Sequence, residues 1–75
     1  MRYEPDRCRL KEWYKRKRIS QRDLHIITGI AESQLSQYAN NNQTMTLGTA
    51  HTIAKAMKLH GPQALYTWRK ILDSD

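Results

Sequence analysis

The sequence predicts an all-α domain made of five short helices. Apolar side chains recur at three- and four-residue spacing in separate short segments, which is the period of an amphipathic helix. Gly, Pro and Asn residues stand between those segments and mark turns. The alternating pattern of a half-buried strand is absent. The 75 residues, 39% of them hydrophobic, suffice for one small core. We expect a single domain over residues 7–72, a flexible arm over 1–6 and a tail over 73–75.

The first helix is predicted over residues 6–17. Pro5 suits the first helical position, where the amide that proline lacks has no partner in any case. Leu10, Trp13 and Tyr14 then share one stripe, and charged residues cover the rest of the surface. The helix therefore packs through that stripe and exposes its charges.

The second helix begins at Ser20 and ends at Gly29. Ser20 is a good N-cap, and Asp23 supplies the acidic group of a capping box. Gly29 tolerates the left-handed conformation that commonly ends a helix. The residues expected to share the buried face of this helix are Leu24, Ile27 and Thr28.

The third helix is predicted over residues 31–38. Leu35 and Tyr38, three residues apart, form its buried side. Its outer surface carries Glu32, Ser33, Gln34, Ser36 and Gln37. Two short helices joined by a tight turn with Gly, the second polar on its outer face, make a helix-turn-helix motif.

Two further helices complete the predicted fold. Thr46 can cap the fourth, and the buried face expected for it consists of Leu47, Ala50, Ile53, Ala54 and Met57. Pro62 starts the fifth, which we expect to extend to about residue 72. The apolar residues of this fifth helix are Leu65, Trp68, Ile71 and Leu72.

The central motif resembles the helix-turn-helix of the lambdoid phage repressor and Cro family, also called XRE-type regulators. The matching residues are Ser20, Gln21, Leu24, Gly29, Ile30, Leu35, Tyr38 and Asn40. The similarity extends outwards to residues 10–13 and 47–59. It implies a compact, lambda-repressor-like five-helix domain that binds specific sequences of double-stranded DNA. It also implies transcriptional regulation, as a repressor of phage or prophage type. Arg18 and His25 depart from the family, which usually has Gly and Ala there.

The resemblance also implies which residues contact DNA. The third helix fits the major groove, and the base-reading positions fall on Glu32, Ser33 and Gln37, flanked by Gln34 and Ser36. Gln21 and Asn40 resemble the family's phosphate contacts. We add Arg18 and Arg22 as charged phosphate contacts, because they flank the start of the second helix.

Family members usually bind DNA as symmetric dimers. The fifth helix, with Leu65, Trp68 and Leu72, is the natural surface for a homodimer. Alternatively, Trp68 simply closes the core of the monomer.

The net charge of +6 is concentrated in residues 1–22, which contain nine basic and three acidic residues. A polyanion is the expected partner, because binding to phosphates releases counterions. The alternative is a solvated face that only keeps the protein soluble.

Enzymatic chemistry is not expected. The histidines, at 25, 51 and 60, lack the spacing and cysteine partners of a zinc site, so we predict no metal and no cofactor.

No apolar run approaches the roughly 18 residues of a membrane helix. The single cysteine, Cys8, suits a reducing cytoplasm, and we predict a cytoplasmic protein.

A second class of function stays open. Small domains of this resemblance can act as antitoxins, antirepressors or bridging adaptors that hold a protein partner. Glu32, the absence of Arg from the third helix, and the apolar pair Ile26 and Ile27 favour this alternative.

Overall fold

Four α-helices and a two-stranded antiparallel sheet make up residues 1–72, the part of the chain that the computed structural model describes. The elements in order are β1 (Arg2–Cys8), α1 (Leu10–Lys17), α2 (Gln21–Thr28), α3 (Glu32–Ala39), α4 (Leu47–Ala56), a 3-10 turn (Pro62–Leu65) and β2 (Tyr66–Ile71). In this range no helix has the length and apolarity required to cross a bilayer. The predicted tail, 73–75, lies outside the described residues.

The sheet overturns two predictions. The fifth helix is only a 3-10 turn, after which the chain extends into β2 and pairs with β1. The arm expected to be flexible over residues 1–6 is therefore ordered, with Arg2 opposite Ile71 and Cys8 opposite Tyr66. The domain is not purely α-helical. Pro5 is tolerated because both strands of such a ribbon are edge strands, and a bulge follows it.

The amino acids of β2 explain why this segment is extended. Its sequence, Tyr-Thr-Trp-Arg-Lys-Ile, is rich in β-branched and aromatic residues, which fit a pleated, half-buried surface. The three-residue spacing of Trp68 and Ile71 resembles a helix period only by coincidence. The pairing joins the two ends of the chain, so no local pattern could reveal it.

Every helix contributes to one small core. The fully buried large side chains are Leu10, Leu24, Leu35, Ile53, Met57 and Leu65. Two predicted core residues lie outside it: Ile27 is 58% exposed and Leu47 is 77% exposed. Leu47 is the first residue of α4 and is not one of its buried residues. In α2, which has about two turns, Leu24 alone is buried.

The predicted ends of α2 and the predicted cap of α4 are confirmed, whereas α1 begins at Leu10 and not at residue 6, because the preceding residues belong to β1. The Asp23 amide donates to Ser20 Oγ at 3.0 Å and the Ser20 amide donates to Asp23 Oδ2 at 3.0 Å, which completes the capping box. The bond from the Ser20 amide holds the pKa of Asp23 below its usual value. Gly29 ends α2 with φ 78°, and Thr46 Oγ1 accepts from the Thr49 amide at the start of α4. Local sequence therefore sets the ends of the motif.

One side chain of α1 and the backbone amide of its N-cap residue connect the helices to the C-terminal segment. The Trp13 indole donates to the carbonyl of Ala64 at 2.7 Å. The Arg9 amide donates to the carbonyl of Leu65, also at 2.7 Å. Together these bonds hold the 3-10 turn against the start of α1.

The buried hydroxyl of Tyr14 has no hydrogen-bond partner within residues 1–72. Burial raises its pKa to about 12, above the ordinary value of 10. The unfolded chain therefore loses this proton first, so stability falls as pH rises from about 10 to about 12. We expect Tyr14→Phe to raise the free energy of unfolding by about 1 kcal/mol at neutral pH and to reduce that fall. Urea titrations at neutral and alkaline pH would measure both, and lower stability of the variant at neutral pH would contradict this account.

Candidate nucleic-acid interface

The turn between α2 and α3 is held by side chains from α2. Thr28 Oγ1 donates to the carbonyl of Leu24 at 2.7 Å and accepts from the amide of Ile30 at 3.2 Å. His25 Nδ1 lies 2.7 Å from the carbonyl oxygen of Ile30. His25 is thus accommodated by a hydrogen bond to the turn. The two helices of the motif are fixed relative to each other.

The outer face of α3 presents three exposed polar side chains. Glu32, Ser33 and Gln37 are exposed, whereas Leu35 and Tyr38 are buried on the opposite side. Ser33 and Gln37 are four residues apart and so lie on the same face. Within residues 1–72 neither side chain has a hydrogen-bond partner. Both are available to a ligand without breaking an internal contact.

The two flanking residues of α3 are already engaged. Gln34 Nε2 donates to Gln43 Oε1 at 2.6 Å, and Ser36 Oγ accepts from Asn40 Nδ2 at 3.3 Å. Both Gln34 and Ser36 are half-buried. They hold the end of α3 and the following loop, so reading a base would require them to share or exchange these bonds.

Gln21 connects the starts of the two motif helices. Its Nε2 donates to the carbonyl of Glu32 at 3.3 Å, so Gln21 lies beside the first residue of α3. Arg22, in the first turn of α2, is exposed and has no ion-pair partner among the described residues. Asn40 lies at the other end of α3, as its C-cap. Gln21 and Asn40, two of the predicted phosphate contacts, therefore lie at opposite ends of α3.

Arg18 ends α1 in the left-handed conformation, with φ 54° and ψ 39°, and its amide donates to the carbonyl of Tyr14. Its backbone therefore has the shape that glycine adopts most easily. The side chain is exposed.

Residues 9–69 match the family model described as the Cro/C1-type HTH DNA-binding domain. The chain belongs to this family. The match includes all four helices and extends into β2. No curated protein and no solved structure matches the chain. Membership of the Cro/C1-type family confirms the resemblance read from the sequence, and with it a DNA-binding helix-turn-helix domain.

In this Cro/C1-type domain the arginine at the end of α1 places a charge where glycine would be least strained. We expect Arg18→Gly to raise the free energy of unfolding by about 0.5–1 kcal/mol, because it relieves the left-handed strain. The same change should weaken binding to any duplex. It should also lower the salt slope, the slope of log K against log[salt], by about one. Arg18→Ala is the matched control, since it removes the charge and keeps the strain. Equal stability of the two variants would contradict the strain argument.

The surface predicted for a dimer is only partly available in the Cro/C1-type fold. Leu65 is completely buried in the monomer core, so it cannot belong to such a surface. Trp68 is 46% exposed and Leu72 is 71% exposed. The Trp68 indole donates to the carbonyl of Gln63 at 2.9 Å, and its ring meets Tyr66 edge to face. Two of the three predicted residues remain on the surface.

Trp13 contacts three basic side chains, one just before α1 and two within it, a role that was not predicted from the sequence. The Arg9, Arg16 and Lys17 cations lie 5.0, 5.5 and 6.0 Å from the centre of its ring. Their spacing, four residues before Trp13 and three and four residues after it, is the one signal that could have indicated it. The contacts hold three basic side chains of the Cro/C1-type domain around one ring.

Proposed function

We propose that this protein is a transcriptional regulator that recognises a specific double-stranded DNA sequence, as a repressor of phage or prophage type. Helix α3 enters the major groove and reads base edges there. The observation that carries the proposal is the pair Ser33 and Gln37, exposed, unpartnered within residues 1–72 and on one face of α3. That face adjoins Gln21, which is bonded to the first residue of α3.

The side chains of α3 suit base recognition through neutral groups. The Gln37 amide can pair with adenine N6 and N7, and Ser33 can donate or accept. Glu32 can accept from cytosine N4. Helix α3 has no arginine, so bidentate reading of guanine does not come from it.

Cations outside α3 supply the general affinity. Arg18 and Arg22 bind phosphates near the start of α3, together with the Gln21 amide. Arg22 also lies in the first turn of α2, where helix amides attract anions. These contacts orient the domain on the duplex and carry no sequence information.

The proposed regulator binds as a symmetric dimer through Trp68 and Leu72. A single motif contacts few base pairs, and two-fold symmetry places two copies on half-sites one helical turn apart. The exposed apolar surface of these two residues supports the proposal. Sedimentation that showed only monomers at tens of micromolar would rule it out.

Salt-titrated binding tests the proposed function. A labelled duplex carrying the DNA that flanks the protein's own gene is compared with a random duplex, by gel shift or fluorescence anisotropy. We expect tighter binding to the flanking DNA at every salt concentration. Arg22→Ala should weaken both duplexes and lower the salt slope by about 0.9. Failure to distinguish the two duplexes would contradict sequence-specific recognition of that DNA.

Ile26 and Ile27 support a second candidate, a protein-interaction module such as an antitoxin, antirepressor or bridging adaptor. These neighbours on α2 are 68% and 58% exposed. Replacing both with Ser leaves DNA affinity unchanged under the first proposal, because neither belongs to the DNA-binding set. If the chain binds no duplex at low salt, the second candidate is favoured.

A further inference from the structure

A cleft of about 440 Å³ lies between the end of α3 and the junction of β1 with α1. Its lining comes from β1, α1, the end of α3 and β2. The lining residues include Arg7, Cys8, Lys11, Asn40, Asn41 and Thr67. Asn40 is the C-cap of α3, so the cleft adjoins the end of α3 away from Gln21.

Pairing of the N-terminal strand creates this cleft. The Cys8 amide donates to Asn41 Oδ1 at 2.7 Å, which ties β1 to the residue after the α3 cap. Asn41 has φ 62°, a left-handed conformation that asparagine tolerates well. Arg7, opposite Thr67 in the sheet, is thereby held close to the end of α3. Without the pairing of β1 with β2, Arg7 would not be held at this position.

The cleft has an excess of uncommitted positive charge. One of its basic residues, Arg9, forms an ion pair with Glu12, in which Arg9 Nε lies 3.1 Å from Glu12 Oε2. The hydrogen bond from Arg9 lowers the pKa of Glu12, which therefore stays ionised and neutralises that arginine. Arg7 and Lys11 are exposed and have no ion pair within residues 1–72. They also offset the negative end of the α3 dipole, which would otherwise repel an anion.

We propose that this cleft binds the sugar-phosphate backbone of DNA, with Arg7 and Lys11 contacting the same phosphate as Asn40, which is already an expected phosphate contact. The inference rests on the proposed function and adds a second clamp to it. Helix α3 is about 12 Å long and the major groove is about 12 Å wide. With α3 lying across the groove, a phosphate at the Asn40 end belongs to the strand opposite the one that contacts Gln21 and Arg22.

The double variant Arg7→Ala with Lys11→Ala tests the cleft. Binding to a random duplex of about two helical turns is measured across a fourfold range of salt. We expect the salt slope to fall by about 0.9, because the two side chains neutralise a single phosphate. The matched control, Lys55→Ala with Lys70→Ala, removes the same charge from α4 and the far end of β2. A slope no lower in the cleft variant than in this control would overturn the inference.

Neutral methylphosphonates, substituted singly along each strand of the flanking duplex, locate the contact. In the wild-type chain we expect, within each half-site, one strand to respond at the Gln21 end and the opposite strand at the Asn40 end. The second response should disappear in the double cleft variant and persist in the control. If the wild type binds DNA but only one strand of each half-site responds, the cleft is refuted and the proposed function stands. If the wild type binds no duplex, the proposed function itself fails.

Discussion

Leu35→Ala should lower the free energy of unfolding by about 2–5 kcal/mol, because it leaves a cavity where no solvent reaches. Leu35 is completely buried beneath the outer face of α3. A domain of this length has a total stability of about 4–11 kcal/mol, so the substitution removes a large part of it and leaves the chain partly unfolded if the wild type lies near the lower limit. Urea titration followed by circular dichroism measures the loss. DNA affinity should fall in proportion to the folded fraction, since no proposed contact is removed.

Leu47→Ala is the matched control for that substitution. The same side chain is removed from another helix, but Leu47 is 77% exposed. We expect a change within about 0.5 kcal/mol, as for other surface positions. The two leucines occupy the same kind of position in the predicted helical pattern. A loss at Leu47 as large as that at Leu35 would show that Leu47 is covered in solution, for example by a second copy of the chain.

The helix-turn-helix could be predicted because its signals are local. The capping box of Ser20 and Asp23 acts across three residues, and Gly29 ends α2 through its own backbone conformation. Leu24 and Leu35 were predictable as core residues for the same reason, since helical periodicity places them inward. Exposed polar residues on α3 then followed from what remained on the other face.

The sheet and the second basic cleft could not be predicted, because they depend on contacts between the two ends of the chain. Nothing near Arg7 indicates that it pairs opposite Thr67. The position of Leu65 was misread for a related reason: a fifth helix would have exposed one side, whereas the 3-10 turn buries this residue completely. Long-range pairing decides both outcomes.

Gln37→Ala should weaken binding to the preferred duplex by about 1–3 kcal/mol and leave binding to random DNA nearly unchanged. Gln37 is exposed on α3 and forms no side-chain hydrogen bond within residues 1–72, so the substitution costs the free protein little. All of the loss should therefore come from base contacts. Anisotropy titrations against the flanking and random duplexes at one salt concentration measure the difference.

Gln63→Ala is the control for that experiment, because it removes the same exposed amide from the 3-10 turn, outside the DNA-binding set. Its affinity for both duplexes should match the wild type. The salt slope of the Gln37 variant should also stay the same, since a neutral amide releases no counterion. An equal loss on random and preferred DNA would instead assign Gln37 to the phosphate backbone. Recognition by α3 would then have to come from Ser33 and Glu32 alone.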